Sequence, residues 1–156
     1  MIYHLFVSQS RSEVALKKNE TIRQLLKHSQ PTALTLTVPG TNDVKDYFYS
    51  IPIIRPGEQT DGKSFVSTTI GEVIYDDGEI GYTLDISFGF KDNILILNGI
   101  KTRHEEFLLQ LYNSIDDVKI NASGRVSVDS ASLFILEDGF TGYSVTITIM
   151  DEPDVL

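Results

Sequence analysis

One segment constrains the fold more than any other: residues 79–90, Glu-Ile-Gly-Tyr-Thr-Leu-Asp-Ile-Ser-Phe-Gly-Phe. Ile80, Tyr82, Leu84, Ile86, Phe88 and Phe90 fall on one parity, and Glu79, Gly81, Thr83, Asp85, Ser87 and Gly89 on the other. A strand sends successive side chains to opposite faces, so this segment carries one apolar and one polar face, whereas a helix would scatter both sets. The polar face suits water or a wet subunit contact, and parity does not separate the two. Asp77-Gly78 just before it supplies the positive φ of a tight hairpin turn. Residues 65–75 are then the partner strand, and 93–100 (Asn-Ile-Leu-Ile-Leu-Asn-Gly-Ile) read as a third.

The other elements are placed around this hairpin. Residues 2–7 are apolar and β-prone and read as a first strand. A short helix is expected over 21–27, extending less firmly back to Glu13, with Asn19 as its N-cap. Leu34, Leu36 and Val38 alternate with threonines as in a half-buried strand. Residues 47–54 are β-prone, but Pro52 cannot donate to a ladder, so this strand belongs at an edge or a bend. Residues 55–63 form the longest polar stretch and read as a surface loop. Thr102-Arg-His-Glu105 is a capping box, and Phe107, Leu108, Leu111, Tyr112 and Ile115 recur as on an amphipathic helix of about 102–115. Residues 118–120 read as a short strand and 121–124 as a turn. Residues 125–136 change parity, which implies a bulge near Ser130. After a turn at 137–139, Tyr143, Val145, Ile147 and Ile149 form the apolar side of a final strand. The class is α+β: a mainly antiparallel β-sandwich or partly closed barrel with one packed helix and a shorter N-terminal one. It is one domain over 1–150, with an acidic tail at 151–156.

Composition narrows the partners. The formal net charge is −9 and cysteine is absent. No disulfide or thiolate metal site is possible. The acidity argues against tight nucleic-acid binding and against docking on an anionic membrane. No apolar run reaches the ~20 residues of a membrane span. Residues 1–7 lack the basic and long apolar regions of a signal peptide, so the sequons at Asn19 and Asn121 are read as coincidental.

Catalytic motifs are missing. His104-Glu105-Glu106 lacks the second histidine four residues on that a zincin helix needs, and His104 reads as a solvated helix-terminal residue. The paired carboxylates Asp76-Asp77, Asp116-Asp117, Glu137-Asp138 and Asp151-Glu152 sit at turns and termini, where Asp is favoured by its local backbone hydrogen bonds. There is no phosphate-binding glycine loop and no nucleophile elbow. Lys45, Tyr47, Phe48 and Tyr49 read as strand packing rather than a base-stacking platform. No catalytic, cofactor or metal residue is assigned, and no enzyme activity is expected.

The alternating Thr/Ser-rich strands, the helix 102–115, the polar loop 55–63 and the closing strand 143–150 resemble, in pattern, the small β-rich structural proteins of tailed-phage tails, necks and baseplates. That resemblance implies a non-enzymatic virion protein, assembled in the host cytoplasm, that forms homo-oligomeric rings or tubes and contacts neighbouring virion proteins. An acidic lumen through which DNA slides would suit the charge. The expected assembly contacts are Arg55, Pro56, Glu58, Gln59, Asp61 and Lys63 in the polar loop, Asp43 and Lys45 in 39–45, the edge around Pro52, and Asp154 and Leu156 in the tail. The alternative is a small acidic inhibitor or immunity-type protein that binds a basic partner through its carboxylates. A hydrolase on a β scaffold ranks last, because no site stands out.

Overall fold

The computed structural model describes residues 2–50, 63–99, 101–117, 124–136 and 139–151. They form an α+β fold: three α-helices on one face of an open five-stranded sheet. The helices are α1 (Ile2–Lys18), α2 (Glu20–Lys27) and α3 (Arg103–Asp117). The strands are β1 (Phe48–Tyr49), β2 (Ser64–Asp76), β3 (Glu79–Lys91), β4 (Gly124–Leu136) and β5 (Phe140–Asp151), in the order β1-β2-β3-β5-β4. Every neighbouring pair is antiparallel except β1 with β2. No second sheet and no closure into a barrel occurs among the described residues.

The hairpin is as expected. β2 and β3 pair from Ser64↔Phe90 to Asp76↔Glu79, and Asp77 and Gly78 turn the chain at φ 45 and 81. The apolar parity of β3 is covered from Tyr82 onward: Tyr82, Leu84, Ile86, Phe88 and Phe90 are all buried, while Ile80 beside the turn is exposed. Val145, Ile147 and Ile149 of β5 continue this layer, and Phe107 of α3 stacks on Phe88 with ring centroids 4.1 Å apart. Fully burying each such side chain contributes roughly 1.5–3 kcal/mol. The β4 bulge falls between Val128 and Ser130, as its change of parity implies. A second bulge, at Gly71 and Glu72 in β2, was not expected; the Thr83 hydroxyl occupies the space a Gly71 side chain would need and accepts the Glu72 N–H at 2.7 Å.

Three expected strands take other forms. Residues 2–7 open the 17-residue helix α1. No glycine or proline stands between Met1 and Gln30, so nothing breaks the chain between the apolar run and the helical residues after it. Residues 33–35 form a 3-10 turn instead of a strand, because Thr32 after Pro31 offers its carbonyl locally: it accepts from Thr35 N at 2.9 Å and from Thr35 Oγ1 at 2.7 Å. The run after Asp92 is a 3-10 turn (Asp92–Ile94), then a loop closed by the bridge Ile96↔Thr102, with Gly99 at φ 95. Of the strand expected over 47–54, only Phe48 and Tyr49 pair, at the sheet border where Pro52 had pointed. Residues 51–54 lie outside the described residues, as do the strand expected at 118–120, most of the turn at 121–124 and Glu137-Asp138.

Two buried arginines lock the helices together. Arg23 donates from Nη1 to the carbonyls of Lys17 and Lys18, both at 2.9 Å, and from Nε to Val38 at 2.8 Å. Arg103 donates to the carbonyls of Leu25 at 2.8 Å, Gln30 at 2.9 Å and Ile94. The last carbonyls of a helix lack intrahelical donors and form its negative pole, so each guanidinium satisfies and neutralises one helix C-terminus. Asn19 N-caps α2 through the Ile22 N–H at 3.1 Å, and its amide donates to Gln110 and Ser114 of α3.

Candidate assembly surfaces

The expected contact residues divide in two. Arg55, Pro56, Glu58, Gln59, Asp61, Asp154 and Leu156 lie outside the described residues. Asp43, Lys45 and Lys63 are described and exposed. Asp43 accepts the Gly40 N–H at 3.1 Å and so caps a 3-10 helix (Thr41–Tyr47), whose last turn holds Lys45. The Lys63 ammonium donates to Ser29 Oγ at 3.4 Å, and its carbonyl accepts the Lys91 N–H at 2.8 Å. Asp43 and Lys45 belong to the two ends of this 3-10 helix and Lys63 to the entry of β2.

Uncovered surface lies elsewhere. β4 is a border strand 13 residues long, paired on one side with β5 and on the other with no strand among the described residues. Its register sets Leu133 beside Tyr143 and Ile135 beside Thr141, so both share the helix-side face. They are nevertheless 59% and 75% exposed. β4 contains no proline and only two charged residues, Arg125 and Asp129. The Asp129 carboxylate is turned to the opposite face, where it accepts from Ser127 and Thr148 hydroxyls. At the opposite border, among the described residues, β1 pairs with β2 at Val66 and Ser67, and Gln9 of α1 donates to the Thr68 carbonyl at 2.7 Å.

The face away from the helices is polar and ordered by its own hydrogen bonds. Thr146 donates to Asp85 at 2.9 Å, and Ser87 to Ser144 at 3.0 Å. At one end Phe65, Phe134 and Phe140 pack together, with Phe65 over Gly89 and Phe134 over Gly142. The aromatic rings cover the backbone that glycine leaves bare.

His104 departs from its expected solvated position. It is buried against the rings of Phe88, Phe90 and Tyr143. Its Nε2–H donates to the Thr141 carbonyl at 2.9 Å, which fixes the neutral tautomer with the proton on Nε2. Burial pushes its pKa below the ordinary 6.5, against smaller opposing effects of that hydrogen bond and of the Asp92 and Glu105 charges. It serves packing between α3 and the sheet. Among the described residues no three His, Asp or Glu side chains gather as metal ligands would.

Among the described residues, no helix is long and apolar enough to cross a membrane. No protein-family model and no curated protein matches the chain.

The sequence carried a signal for the β4 surface that parity alone did not decode. Leu133-Phe-Ile-Leu136 is a continuous apolar run at the end of the strand whose change of parity implied a bulge near Ser130. Phe134 is in fact half-buried in the aromatic cluster of the far face, while Leu133 and Ile135 stand open on the helix side.

Proposed function

We propose that the protein is a non-enzymatic structural protein that assembles with copies of itself into rings or tubes, as in a tailed-phage tail, connector or baseplate. The observation that carries this reading is β4: a long border strand with no strand partner on one side among the described residues, and two exposed apolar side chains on it. Such an edge is a ready template for pairing, and proteins that must stay apart blunt it with short strands, proline or inward charges. The strand directions alternate from β2 to β4, so β4 of one copy would meet, as an antiparallel continuation, the part of the next copy's β2 beyond Thr68 that no strand covers among the described residues. That contact joins two different surfaces, and repeated head-to-tail it closes into a ring. Sheets joined in this way would supply a sandwich or barrel closure that does not occur among the described residues of one copy. Neighbouring virion proteins would take the remaining surfaces, and the acidic surface would let DNA pass through a lumen without holding it.

Light scattering across a concentration series, with negative-stain images of the same samples, tests the reading. Ring-sized masses and annular particles are expected, and both are lost in the double variant Leu133→Lys, Ile135→Lys. Rings that persist in this variant would refute the β4 contact. A monomer at all concentrations in the unmodified protein would refute self-assembly.

A further inference from the structure

The loop between the Asp92–Ile94 turn and α3 holds a reactive pair. Asn98-Gly99 is the one Asn-Gly step in the sequence. Both residues are exposed, and Gly99 turns the chain at φ 95. A Cβ built on Gly99 would meet nothing within 4 Å, so the space beside its backbone is open. Among the described residues no group hydrogen-bonds the Asn98 carboxamide, and none accepts the Gly99 N–H. The carboxamide carbon of an asparagine and the backbone nitrogen of the next residue can close a five-membered ring, and glycine sets no Cβ in the way.

The other described asparagines each lack a requirement. The Asn19 side chain is engaged, as the cap of α2 and as donor to Gln110 and Ser114. Asn113 lies inside α3, where the next N–H belongs to the helical ladder. Asn42 and Asn93 sit in 3-10 helices and are followed by Asp43 and Ile94, whose side chains crowd the attacking nitrogen.

The chain is tied down around the pair. The Asn98 N–H donates to the Pro31 carbonyl at 2.9 Å, the Leu97 N–H to the Lys101 carbonyl at 3.0 Å, and Ile96 bridges Thr102. Leu97 is buried, and the Arg103 N–H donates to the Leu95 carbonyl at 2.8 Å. Any backbone atom added at residue 98 must be absorbed inside this closed loop.

We propose that Asn98-Gly99 is a self-modifying site, where the chain converts its own asparagine to aspartate and isoaspartate and so loosens the loop that seats α3. The Gly99 nitrogen gives up its proton and bonds to Asn98 Cγ. The Cγ–Nδ2 bond breaks, ammonia leaves with that proton, and a cyclic imide remains. Water then adds to one imide carbonyl. Opening at Cγ gives aspartate; opening at the main-chain carbonyl gives isoaspartate, with the chain routed through Cβ and Cγ. One water is consumed and one ammonia released, with no oxidant or reductant. Either product adds a carboxylate, ionised at neutral pH, to a chain already at −9. Isoaspartate also lengthens the backbone by one carbon, so the Leu97–Lys101 hydrogen bond and the Ile96–Thr102 bridge must stretch or open. The site is independent of assembly through β4.

The full chain, incubated in mildly alkaline buffer made with heavy-oxygen water, is followed by peptide mass spectrometry. The peptide holding residue 98 is expected to exchange its amide for one labelled oxygen. It should split into two chromatographic species, one of which accepts methyl groups from an isoaspartyl methyltransferase. Asn98→Gln should hold the peptide unchanged over the same interval, because a larger ring must form. Asn98→Asp supplies the charge without the extra carbon, so its thermal midpoint should stay near that of the unmodified protein while the isoaspartate fraction melts lower. An unchanged mass while a peptide of residues 95–103 converts would overturn the proposal. So would aspartate without isoaspartate, earlier conversion at another asparagine, an isoaspartate fraction that melts with the unmodified protein, or Asn98→Asp melting as low as that fraction.

Discussion

Replacing Arg103 by methionine tests how the helical layer is held. The guanidinium is fully buried, and its donors reach the carbonyls of Leu25, Gln30 and Ile94. Two opposing quantities set the outcome. Burial lowers the Arg103 pKa from its ordinary value to about 10, and at 1.36 kcal/mol per unit the buried cation costs about 3 kcal/mol. Against this, a hydrogen bond from a charged donor contributes roughly 1.5–3 kcal/mol, so three give roughly 5–9 kcal/mol. The difference favours the arginine by about 3 kcal/mol, toward the lower end of the cost of breaking a buried charged network. Methionine fills part of the volume but leaves three carbonyls without a donor. Arg103→Lys keeps the charge, yet one ammonium cannot span carbonyls placed around a planar fork, so a loss of at least about 1.5 kcal/mol is expected. Urea unfolding followed by circular dichroism measures both, since the protein has no tryptophan. A loss below about 1 kcal/mol for Arg103→Met at unchanged m would refute the argument, because the carbonyls would then have found other partners.

Three further outcomes follow from single sites. His104 is held neutral, with its pKa below the unfolded 6.5, so its contribution is complete above pH 6.5 and is lost as pH falls through the folded value. His104→Gln should flatten that part of the stability–pH curve, and an unchanged slope in a urea series would contradict the assignment. Gly142→Ala should cost about 3 kcal/mol or more, because the new Cβ meets the Phe88 carbonyl of the adjacent strand and the Phe134 ring, neither of which can move aside freely. Its thermal midpoint, beside that of the unmodified protein, checks this. Thr102→Ala removes the cap that accepts the Glu105 N–H at 3.2 Å and should cost about 1 kcal/mol, read from the urea midpoint.

What the sequence disclosed depended on how strictly a local pattern implies its tertiary setting. The β3 alternation, the Asp77-Gly78 turn, the Thr102/Glu105 capping box and the bulge near Ser130 rest on backbone geometry, and all four are present. Residues 2–7 and 33–38 are short and β-prone, and short apolar runs do not distinguish strand from buried helix or turn. Residues 2–7 run on into α1, whose Ala15 and Leu16 are buried, and Ala33 and Val38 are buried as well. His104 gave no sign of its burial, since the rings around it come from residues distant in sequence. The assembly surface was sought in polar loops, the usual sites of recognition. Most of those loop residues lie outside the described residues, and among the described ones open apolar surface stands on β4 and at the hairpin end.

Amide hydrogen exchange along β4 tests the central proposal most directly. Amides on its open side have no strand partner in a single copy among the described residues, and they gain one when copies pair. The account predicts slow exchange across residues 125–136 at assembling concentration and fast exchange of the open-side amides in the Leu133→Lys, Ile135→Lys variant, with β3 and β5 protected alike in both. Equal exchange of β4 in the two proteins, with the unmodified one assembled, would contradict it.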